Sequence, residues 1–114
     1  MTVEEFYVDF LTEALDVPVS GNVPEDPRPE RFVTIEKTGS STDNFVYRPV
    51  IAVQSWAETR MDAARLNELV KQAMLGSIVS PRIFRCNLDT DYYFPELELK
   101  KPRYQAVFEI TYLD

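Results

Sequence analysis

Between Phe45 and Leu75 the chain reads FVYRPVIAVQSW, then AET, then RMDAARLNELVKQAML, a strand that passes within three residues into an amphipathic helix. Successive side chains of a strand point to opposite faces, so Val50, Ile51, Ala52 and Val53 place apolar groups on both sides. A segment of that kind lies inside a sheet covered above and below. The helical half opens on Thr59 and Asp62, close to the capping-box pattern. Ala63, Leu66, Val70, Ala73 and Met74 share one helical face, and Arg60, Arg65, Glu68 and Lys71 fall largely outside it. Gly76 follows the last periodic residue, where a left-handed cap is expected.

The remaining segments arrange themselves around this pair. Thr2 to Leu15 forms the first helix: Thr2 and Glu5 make a capping box, and Val3, Phe6, Phe10 and Ala14 make an apolar stripe widened by Tyr7 and Leu11. Pro18 ends it and biases Val17 towards extended geometry. Val17 to Ser20 fits a short edge strand, where proline is tolerated. Pro24, Pro27 and Pro29 then stiffen an extended arm that lies over the sheet or reaches a neighbour. Arg31 to Thr38 reads as a strand, Gly39 to Asn44 as a loop, and the pair as a hairpin with the central strand. After Pro81, Arg82 to Asn87 is a strand with Ile83 and Arg85 on one side and Phe84 and Cys86 on the other. Leu88 to Lys101 reads as a polar, aromatic loop with a short strand at Glu96 to Lys100. Last comes the clearest alternation in the chain: Tyr104, Ala106, Phe108, Ile110 and Tyr112 against Arg103, Gln105, Glu109 and Thr111. Strands grouped around two helices predict an α+β fold, a mostly antiparallel sheet with both helices packed on one face, in a single domain spanning residues 1–114.

Charge is unevenly placed. The net charge of −7 lies within residues 1–30, which carry eight acids and one base, Arg28; residues 31–114 balance at eleven of each. An acidic surface repels phosphate, which argues against nucleic-acid binding through counterion release. The acids serve either as a solubilising helix face or as a surface that lies near DNA without adhering or docks on a basic partner. No run approaches the roughly 18 apolar residues of a membrane helix. MTVEEFYV carries acid where an export signal carries base, and the lone Cys86 suits a reducing compartment; together they lead us to expect a cytosolic protein.

Chemistry is sparsely supplied. With no histidine among 114 residues, the commonest general base near neutral pH is missing. Cys86 has no histidine to activate it and reads as a small buried hydrophobe. Gly21, Gly39 and Gly76 are too far apart for a phosphate-cradling loop. Asp89 and Asp91 fit a weak metal or paired-carboxylate site if alternation brings them to one side, and Glu96 with Glu98 is equally unconstrained. The expectation is a protein that is not an enzyme, with no catalytic, cofactor-binding or metal-binding residues and no cofactor. A small carboxylate- or metal-dependent enzyme is the least favoured alternative.

Tyr92, Tyr93 and Phe94 are consecutive aromatics in a polar stretch. They either fold back over an open end of the core or form an interface, where such residues are enriched. Trp56 reads as a core corner. Lys100, Lys101 and Arg103 make the one basic cluster; paired with the acidic first helix of a neighbouring copy they give a head-to-tail contact, which closes into rings. The candidate interface set is therefore Arg28, Tyr92, Tyr93, Phe94, Lys100, Lys101 and Arg103.

The turn and strand residues also follow a familiar order. The first helix leads to Val17-Pro-Val-Ser20 and Asn22-Val-Pro24, then Pro27-Arg-Pro-Glu-Arg-Phe-Val-Thr-Ile-Glu36 and Thr38-Gly39. A strand ending Val53-Gln-Ser-Trp-Ala57 then precedes an alanine- and leucine-rich helix. From about residue 2 to 113 the chain resembles the tail terminator, or tail completion, proteins of long-tailed phages and prophages. The resemblance implies an α+β subunit forming a ring, typically of six, on the head-proximal end of the tail tube. There the ring ends tube growth and joins tail to head. It implies a homo-oligomer whose partners are the tail tube protein and a head–tail connector protein, with no cofactor and no membrane. Such a protein works in the host cytoplasm during assembly and then in the virion. Neck and head–tail connector subunits share the general layout and stand as the alternative. Acids lining the ring lumen, from the first helix or from residues 89–98, let DNA pass without specific binding.

Overall fold

A computed structural model describes residues 1–113. Its elements run α1 (Val3–Ala14), β1 (Val19–Ser20), β2 (Phe32–Asp43), β3 (Val46–Trp56), α2 (Arg60–Leu75), a 3₁₀ turn (Gly76–Val79), β4 (Ile83–Tyr93) and β5 (Arg103–Tyr112). The five strands form one sheet in the order β1-β2-β3-β5-β4, antiparallel except for the β1–β2 pair. The fold is α+β, as the grouping of strands and helices predicted. Ile51, Ala52 and Val53 are fully buried in the middle of β3, which pairs with β2 on one side and β5 on the other. The apolar run on both faces of the chain's middle is thus explained by its central place in the sheet.

Both helices pack on the same face. Val3, Tyr7 and Leu11 of α1 and Leu66, Val70 and Met74 of α2 join Val33, Ile35, Ile51, Val53, Ala106, Phe108 and Ile110 in one core. Each large side chain buried there contributes about 1.5–3 kcal/mol. Thr2 and Glu5 close a full capping box, with the Thr2 amide donating to Glu5 Oε1 at 2.7 Å and the Glu5 amide to Thr2 Oγ1 at 3.0 Å. At α2 only half of that pattern forms. The Asp62 amide donates to Thr59 Oγ1, while the Asp62 carboxylate turns to Arg65, 2.9 Å away.

Several elements differ from the sequence expectation, each for a local reason. The buried line of α1 is Val3, Tyr7 and Leu11, with Phe6 and Phe10 at its margin. Tyr7 goes inside because its hydroxyl finds a buried partner, Ser77 Oγ at 3.0 Å. Gly76 has φ of −77° and is right-handed, since the chain continues into the 3₁₀ turn without reversing. Gly39 to Asn44 is no loop: β2 runs to Asp43, past a register shift between Lys37 and Gly39, and the hairpin closes on Asn44 and Phe45 alone. β4 likewise continues through the expected loop to Tyr93. Bulges between Ile83 and Arg85 and between Leu88 and Thr90 reset its alternation. Ile83 and Cys86 therefore both join the core, leaving Phe84 outside. Glu96 to Lys100 is a turn closed by a single bridge from Glu96 to Lys101, since the chain reverses there to enter β5.

The molecule is long for its width, 43 × 23 × 23 Å. β2 and β3 lie along it, so the first residues of β2 and the Asn44–Phe45 turn sit at opposite ends.

Candidate functional site

The face of the sheet away from the helices carries two side-chain rows that cross the strands. Phe32, Trp56 and Arg103 are register partners on β2, β3 and β5. Thr34, Gln54, Gln105 and Tyr92 are register partners from β2 to β4. A strand's two-residue period puts each set on one side, and pairing brings the set into line.

In the second row the side chains bond to one another across four strands. Thr34 Oγ1 donates to Gln54 Oε1 at 2.8 Å, and Gln54 Nε2 donates to Gln105 Oε1 at 2.6 Å and to Glu36 Oε1 at 3.3 Å. Gln105 Nε2 donates to the Tyr92 hydroxyl at 2.5 Å. The first row is tied in by the Trp56 indole N–H, which donates to Thr34 Oγ1 at 3.0 Å. Trp56 is buried and stacks on Phe32, with centroids 5.2 Å apart. The Arg103 guanidinium lies 4.8 Å from the Trp56 centroid and 4.2 Å from that of Phe94, between two aromatic faces. Its Nε donates to the Phe94 carbonyl at 2.7 Å. Residues Gly21 to Val23 flank the two rows, leaving a shallow depression of about 280 Å³. Phe32, Thr34, Gln54 and Trp56 are buried within this face, and its exposed part is carried by Tyr92 and Phe94 with the half-buried Gln105 and Arg103.

The residues singled out in the sequence separate into groups. Tyr92, Phe94, Lys101 and Arg103 come together at this face: Tyr92 and Phe94 meet edge to face at 5.7 Å, and Lys101 lies 5.9 Å from the Phe32 centroid. Tyr93, on the other side of β4, packs against Tyr104 at 5.3 Å beneath the Arg60 guanidinium, 4.3 Å from its centroid. Tyr92 and Tyr93 lie on a strand and not in a loop, because β4 is held to β5 along its whole length. Arg28 stays in the proline-rich arm, paired with Asp26 at 2.7 Å. Lys101 pairs with Glu58 at 2.8 Å, and Arg103 approaches Glu96 at 3.9 Å. Within the basic cluster, and among the described residues, only Lys100 is left without an internal ion pair. Lys101 and Arg103 thus already have partners within the chain. The Thr34–Gln54–Gln105 ladder was missed in the sequence because no single segment contains it; only strand register brings it together.

The carboxylates and the thiol are also accounted for. Asp91 accepts from Asn67 Nδ2 at 2.8 Å and pairs with Lys71 at 2.9 Å, and the hydrogen bond from Lys71 holds it below the usual carboxylate range. The bulge next to it breaks the alternation on which a shared Asp89–Asp91 site depends. Among the described residues no three metal-ligating side chains converge. Burial pushes the Cys86 thiol up to about 11, so it stays protonated near neutral pH. Among the described residues no helix is long and apolar enough to cross a membrane.

Gln54 is the hub of the ladder, bonded to Thr34, Gln105 and Glu36 while itself nearly buried. Gln54→Ala is expected to cost about 1–3 kcal/mol, because it strands hydrogen-bonding groups on both sides. Urea denaturation measures this. A loss below about 0.5 kcal/mol means that water satisfies the row unaided.

Comparison of the chain with known protein families and with curated proteins finds no match.

Proposed function

We propose that this chain is a structural subunit that forms a ring, of about six copies, at the head-proximal end of a phage tail tube, ending tube growth and joining tail to head. The sequence resemblance to tail terminators over residues 2–113 supports the reading, and the α+β layout it implies is the one observed. The observation that carries it is the open sheet face. Its buried side-chain ladder and stacked cation hold the exposed Tyr92 and Phe94 in place, giving an ordered aromatic edge that costs little further entropy to dock. The elongated body, with unlike ends, suits head-to-tail packing of identical subunits about an axis.

The test is polymerisation of the tail tube protein with and without this chain, followed by electron microscopy. Tubes made with it are expected to have a ring on one end and to stop elongating; tubes made without it grow to uncontrolled length. Equal length distributions in the two preparations would rule the reading out. A chain that binds the capsid connector while leaving tube length unchanged belongs instead to the neck.

A further inference from the structure

The Asn44–Phe45 turn is built against local preference. A two-residue hairpin turn with positive φ at both positions favours glycine at the second, and here that residue is phenylalanine, at φ 66°. A bulky side chain in this region is strained. Phe45 nevertheless gains no internal packing, being fully exposed at 103%. Tyr47 makes the last pair with β5, so Asp43 to Val46 project beyond it as a two-stranded tip. A strained and fully solvated aromatic at the end of an arm has the form of an anchor lacking its socket.

The same molecule carries a socket at its other end. The C-terminus of α1, the middle of α2 and the start of β2 enclose an open groove of about 480 Å³, lined by Leu15, Val17, Leu66, Leu69 and Ala73 with Arg31 and Asp16 at its rim. That is ample room for one phenyl ring. Arg31 is exposed and makes no ion pair among the described residues. Twelve strand residues separate tip from groove, on the order of 40 Å of extended chain, so a chain cannot fill its own groove. A second copy can. The tip brings Asp43 and Arg48, 3.9 Å apart, and the groove offers Arg31 and Asp16, so each side carries one charge of either sign.

We propose that Phe45 of one copy inserts into the α1–α2 groove of the next, a head-to-tail contact that leaves both ends of every pair free to propagate. This rests on the ring reading only for the closure of the chain of contacts; the contact itself follows from tip and groove. The ring-wide pairing of α1 with Lys100–Arg103 is not required.

Two variants separate this role from folding. Phe45→Gly relieves the strain and loses nothing internal, so its thermal midpoint is expected to rise by roughly 4 °C. Its sedimentation is expected to fall to that of the monomer under conditions where the parent chain self-associates. In a Cys86→Ala background, mixing Phe45→Cys with Leu69→Cys chains under oxidation is expected to give disulfide-linked dimers several-fold above a Phe45→Cys plus Thr90→Cys control. Rings that persist with Phe45→Gly, or cross-linking equal to the control, overturn the contact while leaving the ring reading intact. A parent chain that stays monomeric even with tube protein present overturns both. Binding of the parent chain to neutral phospholipid vesicles, lost with Phe45→Gly, would assign the tip to a membrane and overturn the contact as well.

Discussion

Alanine in place of Trp56 is expected to destabilise the fold by about 3–5 kcal/mol, the range for removing a large aromatic from a packed interior. Trp56 is 1% exposed although it lies on the face without helices. Its burial comes from Phe32, stacked at 5.2 Å, and from Arg103 and Phe94 above it. Truncation removes the stacking partner of Phe32, one flank of the guanidinium, and the donor that Thr34 Oγ1 accepts. Against a total stability of about 5–15 kcal/mol for a domain of this kind, the loss is large. Trp56→Phe keeps most of the apolar area and isolates the indole hydrogen bond, so it should cost less than Trp56→Ala by about 2 kcal/mol or more. Urea midpoints for the two variants decide it. A Trp56→Ala loss under about 1 kcal/mol would mean that the open face is outside the cooperative core.

Stability should also collapse at alkaline pH, beginning near pH 9. Burial pushes the Cys86 thiol up from 9.0 to about 11 and raises the Tyr7 hydroxyl well above its ordinary 10.0. Tyr7 is fully buried, and because Ser77 Oγ donates to the Met74 carbonyl at 2.6 Å, the Tyr7 hydroxyl is the donor in its contact with Ser77. Ionisation would remove that bond and leave a charge in the core. In the unfolded chain both groups release their protons at the ordinary values, so above pH 9 the unfolded state binds fewer protons and stability falls as pH rises. The cysteine alone accounts for about 2–3 kcal/mol by pH 11, and above pH 10 the tyrosine adds about 1.4 kcal/mol for each pH unit. Lys71, held above 10.5 by Glu68 and Asp91, acts in the same sense between 10.5 and its raised value. Cys86→Ala should move the onset from pH 9 to pH 10, and Tyr7→Phe should flatten the limb above that. Unfolding free energies that stay level from pH 8 to 11 would contradict this account of the core.

The helices and most strands were legible in the amino-acid order because each depends on local periodicity. The three-and-four spacing from Ala63 to Met74, the capping residues Thr2, Glu5 and Thr59, and the alternation from Arg103 to Tyr112 each sit within one segment. Charge placement, the missing histidine and the burial of Trp56 were equally plain. Local reading failed where a residue's fate depended on a distant strand. Bulges in β4 turned Ile83 and Cys86 to the same side, against simple alternation, since β5 dictates that register. Lys101 and Arg103 read in sequence as cations for a neighbour, but the fold sets Glu58 and Phe94 beside them. The polar ladder joins residues up to 71 positions apart, and no window of sequence can contain it. Phe45 looked like the first residue of a buried strand; only the pairing of Asp43 with Val46 made it the exposed corner of a turn. The chain by itself thus decided which segments become helix or strand, because hydrogen bonds and hydrophobic periods are short-ranged. The sheet decided which side chains face one another, because strand register is a long-range property fixed only when the core closes.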